Sequence, residues 1–494
     1  MKFLQDSPSL QTALLCKKPS DLSTIVLDLQ VCPWYILDKY YNEVCAMEYI
    51  YRTCACGDIR GIGKKEYDLF KGIFYAQAER FEPPVPVTKW EGTYDATVQG
   101  TACPQRYFYE KPSTPTAHFY RDETVEKHVI RYDEDCLCLN IWAPKNAQNA
   151  PVLVYIHGGS YETGNCSTPG FSGIPYCARG IVMVTINYRL NAFSGAIGDG
   201  HEGNYGVQDQ LCALQWIQRN IAGFGGDPEK VTIMGESAGA MSVQNQIFNP
   251  MAKGLFRAAI MLSGGGVLPR AFSIKPKNIV ADLWADMKKH FGVETIDELK
   301  QIPAQDLYFG FNKVVASDAR YKFPATPVVD GKFIPEAPQV LAETGKINNV
   351  PTIMSVLSED MWPHTLYEAI RDWGLMMEKN DLAPTYGMYF DRQVPGSDHV
   401  AYHGCDVKYS FDTLDQSWRP YDETDFRISQ NMIDYIAAFV KTGVPQVEDL
   451  PVWEPLGKEQ PKFMHFGDEA CAMMAVPADR LAATEAKGKP FPGL

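Results

Sequence analysis

The chain has 494 residues, 45% of them hydrophobic and 21% charged, enough apolar material to bury a large core. Its formal net charge of −14 leaves no basic block to neutralise phosphates, which excludes nucleic acid and an anionic membrane surface as natural partners. No apolar run approaches the roughly 18 residues a membrane-spanning helix needs. Met1-Lys2-Phe3-Leu4-Gln5-Asp6 places an acid where an export signal needs its apolar core. Thirteen scattered cysteines in such a chain are expected to stay reduced, in a cytoplasm. The sequon Asn165-Cys166-Ser167 is then a chance match.

In chain order, residues 1–53 mix apolar and polar character and are expected to form an N-terminal extension of one or two helices packed on the body. From 57 to 76, alternating segments with glycines predict a hairpin. Strands are expected at 137–142, 152–156 and 181–186, followed by an amphipathic helix over 209–221. A short strand at 231–234, a helix from 240, another strand at 258–262 and one at 350–357 continue the alternation. Such alternation predicts a large, mostly parallel sheet with helices on both faces. Helical segments at 274–290 and 296–301 lie in a cap region, about 270–345. A long helix is expected at 424–441.

Gly235-Glu236-Ser237-Ala238-Gly239 sits where the strand gives way to the helix. A serine between two glycines at that junction fits a tight elbow that lifts the hydroxyl above the sheet, with the helix N-terminus aimed at the same point. A serine hydroxyl needs a base to take its proton and an acid to orient the base, and in this architecture both follow it in the chain. Of the late histidines (His364, His399, His403, His465), His403 stands on a glycine-bearing loop before an aromatic segment. Ser358-Glu359-Asp360 follows the 350–357 strand, and either carboxylate can serve as the acid. Ile156-His157-Gly158-Gly159-Ser160 follows another strand. Its glycines let backbone N–H groups approach a carbonyl oxygen, the requirement of an oxyanion hole. His157, inside that loop, is given a structural role.

These segments together resemble the type-B carboxylesterase/cholinesterase-like family of α/β-hydrolases. The resemblance also runs through Phe70-Lys71-Gly72-Ile73-Phe74-Tyr75-Ala76, Ala102-Cys103-Pro104-Gln105, Glu134-Asp135-Cys136-Leu137-Cys138-Leu139-Asn140, Gly203-Asn204-Tyr205-Gly206 and Pro327-Val328-Val329-Asp330-Gly331. It implies one α/β-hydrolase domain over 54–494, with pocket-wall segments at about 270–345 and 361–400. It implies Ser237 as nucleophile, Asp360 as acid and His403 as base, with oxyanion donors on Gly159, Ser160 and Ala238. Glu236 and Ser263 would support them, and an Arg80–Glu134 ion pair would hold the N-terminal segment. Secreted relatives carry a disulfide where Cys103 and Cys136 stand; here thiols are expected.

The implied activity is hydrolysis of small or medium neutral carboxylic esters through an acyl-enzyme, with no metal and no organic cofactor. Amides, carbamates, lactones or thioesters are the alternative substrates, and a non-catalytic adhesion or scaffold protein is the alternative class. Two departures bear on this. The family's acid is usually Glu followed by Gly, whereas here Asp360 precedes Met361. Residues 118–131 lack the tryptophan with which cholinesterases hold choline. The span from Asp360 to His403 is short and rich in Trp362, Tyr367, Trp373, Met376, Met377, Tyr386 and Tyr389, most of them expected in the core and two or three in the pocket.

Overall fold

A computed structural model describes residues 48–106, 130–267, 274–397, 399–457, 462–468 and 471–487. The chain divides into two compact units, Met1–Tyr49 and Ile50–Leu494. Nearly all of the first, with the helices expected there, lies outside the described residues, as does most of 118–131. Residues 48–53 are not helical, because a strand, β1, runs over Glu48–Cys54.

The larger unit is built on one sheet. Its main strands in chain order are β2 (Gly57–Gly63), β3 (Tyr67–Phe74), β4 (Cys138–Pro144), β5 (Ala150–Ile156), β6 (Val182–Ile186), β7 (Gly226–Glu236), β8 (Ala258–Leu262), β9 (Thr352–Leu357), β10 (Thr385–Phe390), β11 (Lys462–Phe466) and β12 (Ala472–Ala475), with a two-residue strand at Tyr94–Asp95 pairing β2. From β2 the spatial order is β2-β3-β4-β6-β5-β7-β8-β9-β10-β11-β12. The run from β6 through β11 is parallel; β2–β3, β3–β4, β4–β6 and β11–β12 are antiparallel. Parallel strands covered on both faces need side chains apolar on both faces. Accordingly β6, β8, β9 and β10 are buried at every position.

The expected hairpin is β2–β3. The expected helices appear as α1 (Tyr205–Asn220), α2 (Ala238–Phe248), α3 (Lys277–Phe291) and, later, a long helix at Glu423–Thr442. That last helix opens with a capping box, in which Asp422 accepts from the backbone of Thr424 and Asp425 and Asp425 accepts from Asp422 N–H. Between Asp360 and His403 the chain contributes helix α4 (Pro363–Lys379) and strand β10, so part of a stretch expected to wall a pocket belongs to the sheet. Tyr386, Tyr389 and Trp373 are accordingly core residues. A buried ion pair between Arg189 (Nε and Nη2) and Asp209 on α1, at 2.8 and 2.7 Å, ties the loop after β6 to that helix. Among the described residues no helix is long and apolar enough to cross a membrane.

Candidate active site

Parallel neighbours end on the same edge of a sheet, so the loops after β5, β7, β9 and β10 emerge side by side. Those four loops carry the residues singled out above.

At the end of β7, Ser237 takes φ +57° and ψ −124°, a conformation costly for a residue with a side chain. The flanking glycines are obligatory for steric reasons. A Cβ on Gly235 would lie 2.3 Å from Gly239 backbone, and one on Gly239 would lie 2.1 Å from Ile156 O. Ser237 N–H donates to Leu262 O at 2.9 Å, locking the turn to β8. Helix α2 starts immediately, so Ala238 N–H is one of the N-terminal N–H groups that lack an intrahelical partner.

The loop after β5 approaches the elbow from the side. A Cβ on Gly158 would lie 2.6 Å from Glu236 O and 3.1 Å from Ser237 Cβ. Gly159 has φ +103°, and Ser160 and Tyr161 follow at +58° and +61°. The Gly159 carbonyl is turned away, accepting from Glu162 N–H and Thr163 N–H at 2.9 and 3.0 Å. Gln105, which the sequence offered only as part of a motif, holds this loop from behind: its amide accepts from Gly164 N–H at 2.8 Å and donates to Gly164 O at 2.9 Å. His157 is buried, stacked on Tyr188 at 4.6 Å, and its Nδ1 meets Gly158 O at 2.9 Å. Burial pushes its pKa down to about 4, so it is a neutral packing element, in keeping with the role expected of it.

The loops after β9 and β10 are joined by a parallel bridge between Glu359 and Tyr402, with Glu359 N–H donating to Ala401 O at 2.9 Å. Neighbouring residues of an extended segment face opposite ways. Asp360 therefore turns to His403, its Oδ1 2.6 Å from Nδ1, while Glu359 turns to His399, 2.9 Å away. Asp360 also accepts from Met361 N–H at 2.8 Å and Leu357 N–H at 3.2 Å. Burial alone would raise its pKa, but His403, the Met361 N–H and the nearby Ser263 hydroxyl outweigh burial and hold it below the ordinary value. His364 lies on α4 near Glu368, and His465 pairs with Asp391 at 2.5 Å.

His403 Nε2 lies 3.3 Å from Glu236 Oε1. Burial works against its protonation, yet Glu236 and Asp360 prevail and raise its pKa to about 9. Burial raises Glu236 to about 7, partly offset by His403. A further buried carboxyl, Asp406, stands three residues beyond His403. Burial and the two other acids push it up to about 8, and Ser355 Oγ contacts it at 3.5 Å while accepting from Ser263 N–H at 3.0 Å. The sequence does not reveal Asp406 as part of this cluster, because nothing local marks an acid on a short helix as buried.

Ser237, Ala238, Ser160, Asp360 and His403 line one cavity open to solvent, with Met241, Phe323, Met361, Trp362 and Leu366 among its apolar walls. Of the aromatic and methionine set expected between acid and base, Trp362 lines it. Arg80 and Glu134 form the expected ion pair, Nε to Oε2 at 2.8 Å, and Arg80 also donates to the carbonyls of Leu299, Lys300 and Ile302. Cys103 and Cys136 are free thiols in contact. Among the described residues one set has metal-ligand character, Glu82, His201 and Asp297, but Lys300 Nζ already bridges the two carboxylates at 2.5 and 2.6 Å.

A mostly parallel sheet in this order, with a strand–serine–helix elbow at its centre, is the α/β-hydrolase fold. Solved structures agree: a thermophilic PNB esterase matches with TM-score 0.77 at 26% identity, over 88% of this chain and 100% of that one. Another PNB esterase gives 0.75 at 25%, over 88% and 99%. The carboxylesterase family matches residues 50–372 and 364–483, and the chain belongs to that family. It is similar to the para-nitrobenzyl esterase of Bacillus subtilis (strain 168), 33% identical over 322 residues, and to a cholinesterase of Mus musculus, 31% identical over 359 residues. The matched stretches cover 62% and 68% of this chain, and 62% and 58% of the two relatives, less than two-thirds of either.

Proposed function

We propose that the protein is a serine carboxylic-ester hydrolase. Ser237 Oγ attacks the ester carbonyl, His403 takes its proton, and Asp360 holds the imidazole in the productive tautomer and stabilises the imidazolium. The N–H groups of Gly159, Ser160 and Ala238 receive the oxyanion. His403 then protonates the leaving alcohol. Water repeats the sequence on the acyl-enzyme and releases the acid. The observation that carries this reading is the hydrogen-bonded Asp360–His403 pair opening on the same cavity as the elbow serine, in a chain of the carboxylesterase family. Labelling by a fluorophosphonate probe, together with turnover of p-nitrophenyl esters, tests it. A chain that neither labels nor turns over any ester defeats it.

The apolar walls suit small or medium neutral esters. A cation cage built on the cholinesterase tryptophan is not encoded, so a neutral ester such as 3,3-dimethylbutyl butyrate is expected to exceed butyrylcholine by about 2- to 30-fold in kcat/KM. The comparison belongs at high salt, where attraction to the acidic surface is screened. We also assign the protein to a reducing compartment, the cytoplasm. The ten cysteines among the described residues, all free thiols, support this.

Only neutral His403 can accept the serine proton. Because neighbouring carboxylates raise its pKa, kcat/KM is expected to climb with pH through an ionisation above the ordinary histidine value, toward about 9. Removing one of those charges by Glu236→Gln lowers the pKa, so the rising limb moves to lower pH, by about one pH unit. A limb that stays put, or moves up, contradicts the assignment of the 3.3 Å contact as the source of the shift.

A further inference from the structure

The cavity wall formed by the start of α4 is held by a residue from the far end of the chain. Helix α4 begins with Trp362 at its N-cap and Pro363 at its first position, and no side chain of its own caps it. Its first-turn residues Trp362, Thr365 and Leu366, with Met361 just before them, line the cavity beside His403 and Asp360. The C-terminal helix over Ala478–Ala486, anchored in the core through the fully buried Leu481, packs along α4. From its last turn Glu485 reaches back: Oε2 accepts from Thr365 N–H at 2.9 Å and Oε1 from the Thr365 hydroxyl at 2.6 Å.

We propose that Glu485 is a positioning residue that fixes this apolar wall and thereby sets the selectivity for esters bulky enough to reach it. Three features converge. The carboxylate satisfies a helix N–H that would otherwise lack an intrahelical partner, and its charge meets the positive end of a 17-residue helix. It also commits the Thr365 hydroxyl proton away from the cavity, so the wall is presented as apolar surface. Finally, Glu485 and Thr365 lie 120 residues apart on different helices, so the contact ties this wall to the C-terminal helix. The nucleophile, the oxyanion loop and the acid–base pair are carried on the loops after β7, β5, β9 and β10. Loosening the first turn of α4 therefore changes how the apolar part of an ester is held while leaving the attacking groups where they are.

This rests on the ester-hydrolase reading above, and the test separates the two. Wild type, Glu485→Gln and Glu485→Ala are assayed on ethyl acetate, too small to reach the wall, and on p-nitrobenzyl hexanoate, which is bulky at both ends. In Glu485→Ala, KM for the bulky ester is expected to rise about tenfold while kcat on ethyl acetate stays within about twofold, the loss of one charge-assisted capping interaction. Glu485→Gln, whose amide oxygen keeps one acceptor without the charge, is expected to fall between, at about threefold. Equal losses on both esters, or a lower melting temperature with an unchanged KM ratio, overturn the proposal, because a brace of the fold alone would behave so. If Glu485→Ala does not fold, the ratio in Glu485→Gln decides by the same criterion. A wild-type chain inert toward every ester brings down the ester reading and this inference with it, whereas an active wild type with an unmoved ratio brings down this inference alone.

Discussion

Alanine at position 237 is expected to lower kcat by about a millionfold, the scale on which nucleophile loss is felt in serine hydrolases that act through a triad. Fluorophosphonate labelling should vanish with it, since a stable adduct needs the activated hydroxyl. The fold should survive: the side chain is small, the backbone hydrogen bond from Ser237 N–H to Leu262 O is untouched, and alanine meets the same positive φ that serine already tolerates. A pure, folded Ser237→Ala protein that keeps substantial esterase activity would falsify the nucleophile assignment.

Asp360→Asn is expected to cost about ten-thousandfold, because an amide can hold His403 in the tautomer that cannot accept the serine proton. Glu359→Gln, one residue away, should cost less than about tenfold. Its carboxylate is 2.9 Å from His399, while Asp360 is the residue hydrogen-bonded to His403 Nδ1. Steady-state kinetics on one p-nitrophenyl ester, run on both variants, checks the pair. A larger loss in Glu359→Gln would mean that the two carboxylates had exchanged roles.

That pair marks where the sequence stopped being legible. The elbow could be read locally, because its demands are local: a strand, two residues without side chains, a helix. The choice between Glu359 and Asp360 could not, because it depends on which face of an extended segment each occupies. That face is set by a bridge to Tyr402, far along the chain. Strand β10 was hidden for a related reason. Thr385-Tyr386-Gly387-Met388-Tyr389-Phe390 is buried on both faces and has no polar alternation to betray its period, so its aromatics passed for core or pocket-wall residues between acid and base. The long helix at Glu423–Thr442, amphipathic and capped at both ends, was legible almost to its termini. The brace from Glu485 to Thr365 left no trace in either local stretch, since a cap supplied from another helix has no spacing to recognise.

Ser237 and Ser160 both carry side chains at φ near +60°, where glycine would sit without steric penalty. The segments that gather the reacting groups are thus poorer solutions to the folding problem than they could be. A laboratory selection on heat resistance alone, with no ester in the medium, would favour glycine at these positions and return a sturdier, inert protein. Any effort to harden this chain has to screen for turnover in the same step, and to look for its gains in the body of the sheet and its helices, away from the loops at the sheet's active edge.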